Sequence, residues 1–103
     1  MSPQPGVYQL MHDIVIWADS VMPKRQPADA IKKLSMEEVP ELWRELKETG
    51  ELSADELADI GIIWLDLCYM ARVDPLEVME AKMQVNRQRT WKIEYGVLQH
   101  EDQ

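Results

Sequence analysis

The sequence predicts an all-α fold, an antiparallel bundle of about four helices, and three observations carry that expectation. Apolar residues recur at three- and four-residue spacings along most of the chain. Serine and aspartate stand where helices would begin, and proline and glycine fall between the periodic segments. No stretch alternates in the manner of a strand, and no internal repeat occurs.

After the lead SPQPG, the segment VYQLMHDIVIWADSVM sets Leu10, Ile14, Trp17 and Val21 at helical spacing, so helix 1 is expected over roughly 6–21. Pro23 and Pro27 then break the chain before a second helical region of about 28–48. Pro40 lies inside that region and removes one backbone donor, which calls for a kink or restart between Ser35 and Pro40. Gly50 turns the chain. Ser53 is placed to cap helix 3, with Glu56 at its third position, and that helix should run to about Arg72. Its seam of Leu57, Ile60, Trp64, Leu67 and Ala71 is joined by Ile62, Ile63, Tyr69 and Met70 on other faces, so it must be covered on several sides. Asp74-Pro75 opens helix 4, expected through about Trp91. The tail KIEYGVLQHEDQ has no clear period and is available to pack on a neighbour.

The 103 residues suit one domain, with the lead 1–5 and the tail 93–103 at its margins. A chain this small with an all-round apolar helix is expected to complete its core as a homodimer or homotetramer. Nineteen acidic residues against 11 Lys and Arg give a charge of −8 and no basic stripe, which argues against duplex nucleic acid as a partner. The single cysteine, Cys68, excludes a disulfide framework and fits a cytoplasmic protein. No segment reads as a signal peptide, and Asp66 interrupts the longest apolar run, so no membrane span is expected.

The stretch EEVPELWRELKETGELSADELAD repeats one pattern, Glu38/Glu41 and then Glu56/Asp59, each pair three residues apart. A helical hairpin turning near 48–49 would set Glu38 opposite Asp59 and Glu41 opposite Glu56, gathering four carboxylates on one patch. Left alone, that patch repels itself. Hard divalent cations remove the repulsion, and Mg²⁺ in particular pairs a few carboxylates with water and substrate phosphates. The competing explanation is ordinary helix surface, since Ser35-x-x-Glu38 and Ser53-x-x-Glu56 both match capping boxes. Lys82, Asn86 and Arg89, at i, i+4 and i+7, form a polar and cationic line suited to phosphate oxygens or simply to solvent. Lys32 and Lys33 precede the first pair and can meet a base or a phosphate, with solvated charge the favoured alternative. His12 and His100 are expected to be structural or exposed, and Trp64 to belong to the core.

EEVPEL followed by ELADIGIIWLDL, with fourteen residues between Glu41 and Glu56, resembles the E-x-x-E, E-x-x-D signature of the MazG-like all-α nucleotide pyrophosphatases. KMQVNRQRTW resembles the K, N, R and W positions found downstream in that family, so the likeness covers roughly residues 10–92. Pro40 departs from the family pattern, where a helix-compatible residue is usual, and is expected to shift Glu41 relative to Glu38. The resemblance implies hydrolysis of a nucleoside triphosphate to a monophosphate and pyrophosphate. It implies two or more Mg²⁺ ions, with Mn²⁺ an alternative, on Glu38, Glu41, Glu56 and Asp59. Glu38 is the expected general base, Lys82, Asn86, Arg89 and Lys33 the phosphate-binding residues, and Trp17 the base-stacking one. IVIWADSVMP and N-x-x-R-x-W are closer to the small phage relatives, including the MazZ-type dGTP diphosphatases, so a purine deoxynucleotide, dGTP first, is the expected substrate. A dUTP or dCTP hydrolase of the same superfamily and a non-enzymatic acidic helical adaptor stand as alternatives.

Overall fold

A computed structural model of the protein describes residues 4–101; the outermost residues of the lead and tail, 1–3 and 102–103, lie outside the described set. The path is helical up to residue 88 and closes with a β-hairpin: α1 (Val7–Val21), α2 (Pro27–Lys33), a π-helical turn (Leu34–Glu38), α3 (Val39–Thr49), α4 (Ala54–Ala71), α5 (Pro75–Gln88), β1 (Trp91–Glu94) and β2 (Val97–His100). Counting α2, the π turn and α3 as one bent helix leaves the four helices expected. The chain divides into a first compact unit ending at Arg72 and a second beginning at Val73.

In the first unit α4 is the axis, touching α1, α2, the π turn and α3. The core sits where α1 meets α4, with Ile14, Val15 and Ala18 buried on one side and Leu65 and Cys68 on the other. This differs from the seam expected on α1, because Leu10, Trp17 and Val21 are 41%, 58% and 52% exposed. Ile14 and Ala18 point inward, and Trp17, one residue before Ala18, is turned away from that contact line. Leu57, at the start of α4, is also exposed. Among the described residues no helix is long and apolar enough to cross a membrane.

Local chemistry sets the breaks. Ser53 Oγ accepts from Glu56 N at 3.1 Å and starts α4, and Asp74 Oδ1 accepts from Leu76 N and Glu77 N at 3.0 and 3.1 Å and starts α5. Ser35 caps nothing: its hydroxyl donates back to Ile31 O at 2.9 Å from within a continuous helical path. The kink expected before Pro40 is a π turn, in which Val39 N–H reaches back to Leu34 O. Pro40 has no N–H to continue the regular ladder, and the widened turn absorbs the mismatch.

Two expectations for the second unit need correction. Helix 4 does not reach Trp91; α5 ends at Gln88, and Arg89 is already extended, with φ −89° and ψ 153°. The tail is not patternless: Trp91–Glu94 pairs antiparallel with Val97–His100 across a Tyr95-Gly96 turn in which both residues have positive φ, 54° and 75°. Trp91 anchors it, donating Nε1–H to Asn86 O at 2.8 Å and meeting the His100 ring edge-on at 5.8 Å. Four-residue strands are too short for alternation to stand out in sequence.

Gly50 ends α3 in the left-handed region at φ 78°, with open space where a Cβ would go. Gly50→Ala is therefore expected to lower stability by about 1–2 kcal/mol through backbone strain alone. Urea unfolding followed by circular dichroism checks this; no change in midpoint would contradict it.

Candidate metal and nucleotide site

Two elements deliver the acidic residues. The π turn and α3 carry Glu38, Glu41 and Glu45, and the first two turns of α4 carry Glu56 and Asp59. Gly50 and Ser53 fold the second helix back along the first, so the two sets meet. One oxygen from each of Glu38, Glu56 and Asp59 lies within 4.8 Å of the others, and the same holds for Glu41, Glu45 and Glu56. Glu56 belongs to both groups. The π turn separates Glu38 and Glu41 into different groups although they stand three residues apart.

Glu45 had no place in the sequence pattern, because a Glu one turn beyond Glu41 on an acidic helix looks like solvated surface. In the folded chain Glu45 Oε2 and Glu56 Oε2 are buried without a hydrogen-bond partner. Buried acceptors of this kind are costly unless something donates to them or coordinates them.

The electrostatics follow from the crowding. Desolvation, with a hydrogen bond that the protonated Glu56 donates to Glu38 and the charges of Glu38, Glu45 and Asp59, pushes the Glu56 carboxyl from 4.5 up to about 7. Desolvation, then the charges of Glu38 and Asp55, raises Asp59 as well. Lys33 is the neighbouring cation: Nζ lies 3.2 Å from Glu38 Oε1 and 3.4 Å from Glu37 Oε1, and its bond to Glu38 raises its own pKa. Glu41 pairs with Arg44 one turn on.

An oxygen-only donor set, crowded carboxylates and two partnerless buried oxygens fit hard divalent cations. Because Glu56 is common to both groups, the donor set would suit more than one divalent ion.

A pocket of about 530 Å³ opens beside the first group. α1 contributes Asp13, Ile14, Trp17 and Ala18; α2 contributes Asp29, Ala30 and Lys33; Glu38, Asp59, Ile62, Ile63 and Asp66 complete most of the wall. Trp17 thus stands, more than half exposed, on a pocket that ends at carboxylates. Arg25 also lines it, in a buried ion pair with Asp66 that no sequence spacing announced, since 41 residues separate the partners.

Lys82 and Asn86 lie on α5 and Arg89 just past its end, all in the second unit, so the three do not continue as one helical line. His12 is exposed, and His100 packs against Trp91.

No family model matches the chain. It is similar to a dATP/dGTP diphosphohydrolase of Cyanophage S-2L, at 35% identity over 95 residues, covering 91% of this chain and 87% of that protein. A dATP/dGTP diphosphohydrolase of Salmonella phage PMBT28 is 36% identical over 85 residues, 82% of this chain; the chain spans 28% of that protein's length. Among solved structures, the Cyanophage S-2L MazG-like pyrophosphohydrolase bound to dGDP and three catalytic Mn²⁺ ions per active site superposes with a TM-score of 0.81 and 32% identity, over 99% of both chains.

The raised Glu56 pKa has a defined sign in stability. Between its unfolded value near 4.5 and its folded value of about 7, the native state holds a proton that the unfolded chain has released. The metal-free protein is thus expected to lose stability as pH rises through that window. Glu56→Gln should flatten the slope, and saturating Mn²⁺ should raise stability most at its upper end. Thermal melts in chelator between pH 5 and 8 check this; a metal-free stability that rises across the window would contradict it.

Proposed function

The chain belongs to the MazG-like pyrophosphohydrolases, and we propose that it hydrolyses purine deoxynucleoside triphosphates, dGTP first, to the monophosphate and pyrophosphate at the Glu56-centred carboxylate cluster. The observation that carries this proposal is the pair of acidic groups sharing Glu56 at one end of a pocket walled by Trp17. Relatives named for dATP and dGTP, and a solved neighbour bound to dGDP, support the purine preference. Family membership sets aside the non-enzymatic adaptor.

Glu38, Glu41, Glu56 and Asp59, with Glu45 added from the fold, would hold two or more divalent ions, Mg²⁺ first and Mn²⁺ as the alternative. Bound there, the ions would lower the pKa of an attacking water and offset the charge of the triphosphate. Glu38, buried beside Lys33, is the proposed general base, with the Lys33 ammonium balancing the charge next to it. Lys33 also meets the phosphates as they enter. Lys82, Asn86 and Arg89 are assigned to phosphate binding, and residues 1–103 to a single MazG-like domain. Trp17 offers a stacking face that favours the larger purine ring.

Met36, Val39, Trp43 and Tyr69 are exposed on the first unit, which supports assembly as a homodimer or homotetramer; the single cysteine is consistent with placing it in the cytoplasm. Light scattering at micromolar concentration should return a mass of two or four chains; a monomer would reject it.

Glu38→Gln, Glu56→Gln and Asp59→Asn are each expected to reduce kcat/KM by about a hundredfold or more while leaving the helical spectrum intact. Pyrophosphate release from dGTP, dATP, dCTP and dUTP under Mg²⁺ measures this and the base order together. Activity within a few-fold of the parent in all three variants would remove the metal site, and a pyrimidine leading the series would remove the purine preference.

A further inference from the structure

The phosphate chemistry above makes no use of the ion pair between Arg25 and Asp66, yet the pair lines the same pocket. Arg25 Nε donates to Asp66 Oδ2 and Nη2 to Asp66 Oδ1, both at 2.7 Å, while Nη1 donates to Asp19 Oδ1 at 2.6 Å and Met22 O at 3.4 Å. The side chains of Arg25 and Asp66 are 8% and 10% exposed. A buried pair is a weak way to stabilise a fold, because desolvation cancels much of its attraction and apolar residues of similar volume often do as well. Its presence on a pocket wall asks for a role toward what the pocket holds.

Position on α4 supplies that role. Asp66 follows Asp59 by seven residues, two helical turns, so the two carboxylates share a face about 10 Å apart, the reach of a nucleoside from base to phosphates. Ile62 and Ile63 lie between them on the pocket wall. With phosphates at the Asp59 end, the base edge arrives at Arg25 and Asp66.

The pair offers that edge a definite pattern. Arg Nη2 carries two N–H groups, one of which goes to Asp66 Oδ1, and that oxygen has a second lone pair. One donor and one acceptor are therefore adjacent. At the six-position guanine presents the O6 acceptor beside the N1–H donor, and adenine presents the N6–H donor beside the N1 acceptor. Either purine can meet the pair, and a pyrimidine anchored by the same phosphates is one ring shorter.

We propose that the Arg25–Asp66 ion pair is the specificity-determining edge that reads the six-position of a purine base in this pocket. The assignment rests on the pyrophosphohydrolase function given above. Its test compares wild-type kcat/KM for dGTP and dATP with that for the deoxypurine triphosphate bearing hydrogen at C6, with pyrophosphate as the readout. A drop of about tenfold or more for the analogue is expected, because it leaves a buried donor or acceptor unmatched; an equal value overturns the proposal.

The double variant Arg25→Met/Asp66→Leu removes the edge without stranding a charge. Its ratio of kcat/KM for dGTP over dCTP should fall about tenfold or more, with Mn²⁺ affinity unchanged by calorimetry. A folded variant with the parental ratio overturns the proposal, and if it does not fold the analogue result decides. Failure of the wild type to hydrolyse any triphosphate would overturn the enzyme assignment and this one together, whereas hydrolysis indifferent to C6 overturns this one alone.

Discussion

Carboxylates held within 4.8 Å of one another are a liability that a folded chain must offset, and the first unit of this protein is organised around that constraint. Glu56 bears it most heavily, since it completes both acidic groups, retains a partnerless buried oxygen and titrates near neutrality. Lys33 supplies one nearby cation, and Arg44 engages Glu41 from the solvent side. Two cations leave the five carboxylates only partly offset, even with Glu56 partly protonated, which suits the cluster to further positive charge. Divalent ions supply it in the smallest volume and present the oxygen-ligated geometry that triphosphates share.

α4 lets one cluster serve two tasks. Its first turns present Glu56 and Asp59 to the π turn and α3, its middle presents Ile62 and Ile63 to the pocket, and its fourth turn presents Asp66 to Arg25. A straight helix spaces these groups at fixed intervals, so the distance from the acidic end of the pocket to Arg25 and Asp66 is set by backbone geometry rather than by flexible loops. The π turn makes the matching adjustment on the opposite strand of the helical hairpin. By absorbing the residue before Pro40, it sends Glu38 inward and leaves Glu41 with Glu45. A helix ending at Pro40 would have broken the acidic row instead.

Much of this was legible in the sequence because its signals are local. Ser53, Asp74 and Gly50 act on backbone groups within a few residues, so helix starts and the hairpin turn could be read directly, and Pro40 announced an irregularity without revealing a π turn. The carboxylate pairs could be placed opposite one another because one short turn fixes the register of α3 and α4. What escaped depends on distant partners or on very short elements. Glu45 looks like any surface glutamate until Glu56 is folded against it, Arg25 finds Asp66 only through tertiary packing, and the Trp91–His100 hairpin is too brief to show alternation. The exposed faces of Leu10, Trp17 and Val21 show the limit of periodicity: spacing defines a stripe on α1, and only the partner helix decides which side of it is buried.

The central claim is that the Glu56-centred cluster is a multi-ion site, and titration of Mn²⁺ into the metal-free protein by calorimetry tests it most directly. Run with a non-hydrolysable dGTP analogue at pH 6 and pH 8, the titration should give more than one ion per chain. Proton release should be larger at pH 6, where Glu56 is still protonated, and the binding should be lost or reduced to a single weak ion in Glu56→Gln. Binding of equal stoichiometry and affinity in that variant, or no binding in the parent, would contradict the claim.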